Sequence, residues 1–204
     1  MIFLSYSGWA QEVFKFEYVT VNDGLAHSDA VDVSQDHQGF IWIATNNGID
    51  RYDGYELKNY IIPNANINGL YSNRISDIHV SDDGTIWAAP EEQGVFFYDT
   101  SSDSYKSLEE KTSNDEWKKL LRSISPRTLS TYKSEILYIG TRTHGVLIVN
   151  LNTKGEISNI QQIRITSSES QPTILAIKNA SRDSIWVGTS GQGLWLIEKK
   201  ANNY

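Results

Sequence analysis

Apolar and polar positions alternate in short runs along most of this chain, and the runs come in recurring groups. "AVDVSQD" (30–36), "ISDIHVSD" (75–82), "TLSTYK" (128–133) and "TILAIKN" (173–179) each read as a half-buried strand. A polar turn follows each of them: HQG, DDG, KSE and SRDS. Next comes a strand built around an aromatic: "FIWIATNNGIDRYD" (40–53), "TIWAAPEEQGVFFYD" (85–99), "ILYIGTRTHGVLIVN" (136–150) and "SIWVGTSGQGLWLIE" (184–198). In each, a short polar loop leads to a glycine and then to a third apolar strand. "ELKNYI" (56–61) and "SYKSL" (104–108) supply weaker fourth strands.

The aromatics Trp42, Trp87, Tyr138 and Trp186 stand 45, 51 and 48 residues apart, and Gly48, Gly94, Gly145 and Gly193 stand 46, 51 and 48 apart. A period near 48 in a strand-rich chain is the signature of a blade-type repeat. One small antiparallel sheet cannot cover both of its faces, whereas sheets stacked radially cover one another. The fold class expected is therefore all-β, a β-propeller of about four four-stranded antiparallel blades. The aromatic of each copy is expected to wedge between neighbouring sheets, where a ring buries roughly 150–250 Å². The longest interval contains "SNDEWKKLLR" (113–122), with Ser113 and Glu116 in capping-box spacing and Trp117, Leu120 and Leu121 on one face. It predicts a short inserted helix, covering an apolar patch or docking a partner.

Residues 16–60 resemble the opening of the two-component regulator propeller repeats, the sensor regions of hybrid two-component systems of Bacteroidetes. Thr20, Asp23, Gly24 and Leu25 fit the start of the pattern; Asp36, Gly39, Ile41, Trp42, Ile43 and Thr45 fit its centre; Gly48, Ile49 and Tyr52 fit its end. Ala44 stands where the family has Gly, which Gly140 and Gly188 keep. The second copy departs at Ala89-Pro90, and the third has Tyr138 in place of Trp. The resemblance implies seven-bladed rings in a larger protein with a membrane helix and a kinase. Four blades would then form an open part of such a ring. "FKFEYVTV" (14–21) would be the strand that completes a last blade, which this chain lacks.

The organisation expected is a residual signal-like segment over 1–13, an N-terminal strand over 14–26, and blades over 27–68, 69–121, 122–170 and, in part, 171–204. "MIFLSYSGWAQE" resembles the tail of a secretory signal without its cationic start; a first strand or a frayed end is the alternative. No apolar run approaches the ~18 residues that cross a bilayer.

Composition narrows the function. Asp plus Glu outnumber Lys plus Arg by 25 to 18, with no basic stripe, which argues against nucleic-acid partners. The absence of Cys removes disulfides, thiolate metal sites and Cys nucleophiles. His27, His37, His79 and His144 make no metal-ligand spacing, and no phosphate-cradling glycine loop precedes a helix. No metal, cofactor or catalytic residue is expected. His79, on an innermost strand, is the one residue that would suit a channel enzyme; a hydrogen-bonded sheet histidine is the plainer reading.

A propeller ligand would sit at one mouth of the channel. Loops entering the innermost strands offer His27, Asp29, Asn73, Arg74 and Arg127; loops between second and third strands offer Asn46, Asn47, Glu91, Glu92, Arg142 and His144. From these, His27, Asn47, Arg74, Glu92, Arg127, Arg142 and His144 are the candidate ligand contacts, since Arg and Asn suit carboxylates and sugar hydroxyls. By resemblance, the chain is expected to be the periplasmic sensing module of an inner-membrane hybrid histidine kinase, responding to glycans or their breakdown products and not itself an enzyme. Its partners would be an oligosaccharide or other small molecule, the rest of the sensor ectodomain, and a second copy in a homodimer. A propeller lyase or glycan-active enzyme, or an inert fragment of a truncated sensor gene, are the alternatives.

Overall fold

A computed structural model describes residues 14–62, 73–92, 94–168 and 170–199. The chain is all-β, with four antiparallel blades. Blade 1 is β1 (Ala30–Gln35), β2 (Ile41–Thr45), β3 (Gly48–Tyr52) and β4 (Leu57–Tyr60); blade 2 is β5 (Ile75–Val80), β6 (Ile86–Pro90), β7 (Phe96–Asp99) and β8 (Ser104–Ser107). Blade 3 is β9 (Pro126–Tyr132), β10 (Ile136–Thr141), β11 (Val146–Leu151) and β12 (Ile157–Ile163). Blade 4 has three described strands, β13 (Ile174–Ser181), β14 (Ser184–Thr189) and β15 (Gly193–Glu198). In each blade the strands pair in chain order.

The inner strands β1, β5, β9 and β13 touch in succession. Carboxylates on them tie one blade to the next: Asp32 accepts from the Ile78 backbone N–H at 3.0 Å, and Asp77 accepts from that of Leu129. The cores lie in the seams between blades. Trp42, Ala44, Ile49 and Tyr60 of blade 1 pack on Ile75, Ile78, Ile86, Phe96 and Tyr105 of blade 2. Trp87, Ala89 and Val95 of blade 2 meet Leu129, Leu137, Ile139 and Leu147 of blade 3. Tyr138 and Val146 meet Ile174, Ile177, Ile185 and Val187 of blade 4. Trp42, Trp87 and Tyr138 are each at most 3% exposed, so three of the four repeat aromatics wedge as expected.

The fourth does not. Trp186 is 41% exposed, with Leu194 and Leu196 exposed beside it on β15. It occupies the same register position as the other three, but no described sheet follows to cover it. At the opposite end Val31 and Val33 of β1 are exposed. Blades 1 and 4 therefore present apolar outer faces, and among the described residues no substantial contact joins them.

Two further expectations change. Residues 14–20 pair with no described strand, and Val21–Asp23 form a single 3-10 turn capped by Thr20. A strand needs a neighbouring edge to pair with, and the expected partner of this segment, a last blade, is not among the described sheets. The inserted helix, α1 (Asp115–Ser123), is capped by Asn114 in place of Ser113: the Asn114 side chain accepts from the Trp117 N–H at 3.1 Å. Leu121 is buried in the seam between blades 2 and 3, with Trp117 and Leu120 packed against it. The helix thus covers an apolar seam. The signal-like segment over 1–13 lies outside the described residues.

Candidate functional site

Every inner strand carries the same irregularity. The pairing shifts by one residue between Ala30 and Asp32, between Ile75 and Asp77, between Pro126 and Thr128, and between Ile174 and Ala176. Val31, Ser76, Arg127 and Leu175 are the extra residues of these four β-bulges. A bulge adds local twist and re-aims a side chain at the end of a strand. The sequence places Arg127 in a loop before a strand over 128–133; in the structure it is the bulge residue of a strand that starts at Pro126.

The loops that follow β2, β6, β10 and β14 fold back to the same end. The first loop residue donates its N–H to the residue just before the inner strand: Asn46 to Asp29, Glu91 to Arg74, Arg142 to Ser125 and Ser190 to Thr173. These bonds bring together side chains that lie far apart in the chain. In blade 1, the Asn46 amide donates to Asp29 at 2.8 Å, His27 Nδ1 stands 3.8 Å from Asp29, and the Asn47 amide donates to the Ala26 carbonyl at 3.4 Å.

Blades 2 and 3 share the more highly charged cluster. Glu91 Oε1 accepts from Arg142 Nη2 at 2.9 Å and from Arg127 Nη1 at 3.4 Å, while Glu91 Oε2 lies 3.9 Å from Arg74 Nη1. Arg127 Nη1 also donates to Ser76 Oγ at 3.3 Å, linking two adjacent bulges. The Glu91 side chain is 24% exposed and those of Arg127, Arg142 and Arg74 are 33%, 44% and 59% exposed. These three guanidinium groups and one carboxylate together carry a charge of +2, in a chain of net charge −7.

The structure thus gathers Arg74, Arg127 and Arg142, and sets His27 and Asn47 together in a separate group on blade 1. His144 sits apart from both, with Nδ1 3.1 Å from Thr143 Oγ1 and its carbonyl accepting from Gln162. Glu92, chosen from the sequence, is exposed, and the acid that organises the arginines is its neighbour Glu91. The repeat could have separated them, since Glu91 is spaced from Asn46 and Arg142 as Trp87 is from Trp42 and Tyr138.

On the inner strands farther from this mouth, His79 is partly buried, its Nε2 2.9 Å from Thr131 Oγ1, and burial holds its pKa below the usual histidine range. This is the hydrogen-bonded sheet histidine. Burial, aided by a hydrogen bond with Asp32, pushes the Asp77 carboxyl up to about 7. Among the described residues, no group of three or more His, Asp or Glu side chains is placed to hold a metal ion.

Open grooves lie at the other end of the seams, by the turns that close the first hairpin of each blade. One of about 660 Å³ includes Asp36, His37, Trp42, Arg51 and Asp83; one of about 560 Å³ includes Tyr138, Asn150, Gln161, Arg182 and Asp183. None of the seven candidates chosen from the sequence lines them.

Comparison with known proteins agrees with the resemblance read from the sequence. Residues 24–47 match the model of the two component regulator propeller family. A curated relative, histidine kinase P4 of Formosa agariphila, is 38% identical over 47 residues, 23% of this chain and 3% of the relative. Two solved structures from B. thetaiotaomicron share the fold. The extracellular domain of a one component system has a TM-score of 0.62 and 16% identity over 88% of this chain and 25% of its own. The extracellular domain of a hybrid two component system has a TM-score of 0.50 and 20% identity over 88% of this chain and 30% of its own. The chain therefore spans under a third of the length of each of these proteins. No helix among the described residues is long and apolar enough to cross a membrane.

Proposed function

We propose that this chain is the ligand-sensing propeller part of a hybrid two-component sensor, that it works outside the cytoplasm, in the periplasm, and that its ligand is a glycan or a glycan breakdown product. The observation that carries the reading is the two-component regulator propeller match over residues 24–47, within a fold shared with the extracellular domains of a one component and a hybrid two component system. The bulge end of the inner strands is the ligand end in this reading. Signalling would be a population shift: a ligand touching two blades at once favours one arrangement of the seam between them. The kinase that reads the shift belongs to the larger protein.

Titration calorimetry of the chain against a panel of plant and algal oligosaccharides, with chromatography of each mixture afterwards, tests this. The expected result is saturable heat with at least one glycan that is recovered unchanged. Recovery of a cleaved or eliminated product would make the propeller an enzyme. Absence of heat with every glycan would remove the glycan as ligand.

A further inference from the structure

The charged cluster between blades 2 and 3 narrows the ligand's chemistry. Each guanidinium offers five N–H donors in a planar fork, about fifteen for the three arginines. Glu91 accepts one hydrogen bond from Arg127 and one from Arg142. Elsewhere the arrangement is different: Arg122 pairs with Glu109, and Arg182 with Glu135, one acid to one base. At the mouth the ion pairs of three arginines converge on one acid. The position is also built, because Arg127 is a bulge residue held to the neighbouring bulge through Ser76. The loop carrying Arg142 is pinned by its N–H to the Ser125 carbonyl at 2.9 Å.

We propose that Arg74, Arg127 and Arg142 bind an oxyanion carried by the ligand, a carboxylate or sulfate ester of an acidic sugar, while Glu91 is the internal anion that holds the guanidinium groups in place. The sugar part rests on the sensor reading above; the anion part stands on the cluster itself. Guanidinium forks match carboxylate and sulfate oxygens in pairs, which gives orientation as well as attraction. Arg74 and Glu91 belong to blade 2, Arg127 and Arg142 to blade 3, so one anion contacts both sides of a seam. A neutral glycan would offer these guanidinium groups no charge to pair with.

The test is calorimetry of the full chain with trigalacturonate, with its methyl ester, and with a sulfated disaccharide, alongside thermal melts in inorganic sulfate. Trigalacturonate or the sulfated disaccharide is expected to bind, the difference between them telling carboxylate from sulfate ester. The methyl ester is expected to bind at least tenfold more weakly than the acid. Arg142→Gln, which leaves the backbone bond of the loop intact but removes a partly exposed ion pair, should weaken anion binding about tenfold while lowering the unliganded melting temperature by no more than about 3 °C. Glu91→Gln keeps an amide oxygen to accept from Arg127 and Arg142 but removes the charge that competes with the ligand, and should tighten binding severalfold, a gain that a purely structural cluster would not give. Sulfate should raise the melting temperature of the native chain more than that of Arg142→Gln. Equal binding of acid and ester, or indifference to Arg142→Gln, overturns the inference and leaves a neutral-glycan sensor standing. Failure of all three anionic probes overturns it too, and the oligosaccharide panel then judges the sensor reading separately.

Discussion

The indole Nε1 of Trp42 donates to Asp36 Oδ2 at 2.7 Å, fixing the ring that closes the first seam to the turn that begins its own strand. The other Asp36 oxygen accepts from the Gln38 and Phe40 backbone N–H groups at 2.9 and 3.0 Å. Turn and wedge are thus one unit. Blade 2 builds it from different atoms: Trp87 Nε1 donates to Ser81 Oγ at 3.3 Å, and Ser81 Oγ donates to Asp83 at 2.6 Å. Asp36→Ala would leave a buried indole N–H and two turn N–H groups without their acceptor. We expect a loss of about 2–3 kcal/mol in urea unfolding, and no such loss for Asp29→Ala, whose side chain is exposed.

The repeat aromatics should differ in worth by their place in the array. Trp42→Ala removes a ring that is 1% exposed and should cost about 3–5 kcal/mol. Trp186→Ala, at the equivalent position but 41% exposed, should cost roughly a third of that. Urea midpoints of the two variants check the ranking; equal losses would mean that the outer face of blade 4 is covered.

The repeat glycines should differ in the same way. Gly48 and Gly145 have φ of +105° and +72°, and a Cβ there would lie 2.5 Å from the Tyr60 carbonyl oxygen and 2.3 Å from that of Ile163. Gly193 has the same backbone sign, φ +72°, with nothing within 4 Å of its added Cβ. The left-handed conformation alone costs about 1–2 kcal/mol for a residue with a Cβ. Gly145→Ala must also displace the fourth strand, so its loss in melting temperature should exceed that of Gly193→Ala at least twofold.

The inner strands give the chain a pH signature. Because burial raises the Asp77 pKa to about 7, the folded state holds a proton that the unfolded chain releases near pH 4. The carboxyl therefore weighs against folding increasingly as pH rises from about 4 to 7. His79, whose pKa burial lowers, acts in the opposite sense, disfavouring the folded state as pH falls below the usual histidine range. Asp77→Asn removes the first effect and keeps the second. The melting temperature of the variant relative to the native chain should climb between pH 5 and pH 8. A constant difference would mean that Asp77 ionises normally in the fold.

The repeat, the order of strands and the wedging of Trp42, Trp87 and Tyr138 were legible in the sequence because each depends on alternation within one copy and on a copy following it. The exposure of Trp186 was not, since it depends on what lies beyond β15 and not on the residues around it. Residues 14–20 look like a strand by composition, but pairing requires an edge that composition does not show. The bulges were hidden because one extra residue per inner strand resembles ordinary phase noise in a short run. That concealed the aim of Arg127 and, with it, the convergence on Glu91 where Glu92 was chosen.

Neighbouring sheets meet face to face, and across the first seam the contact is made by aromatic rings. Trp42 on β2 and Tyr98 on β7 stand 4.9 Å apart between ring centroids, in different blades. A double-mutant cycle with Trp42→Leu, Tyr98→Leu and the pair, read by urea unfolding, measures that contact directly. The structure predicts a coupling of about 0.5–1.5 kcal/mol. Losses that simply add, within about 0.3 kcal/mol, would contradict it.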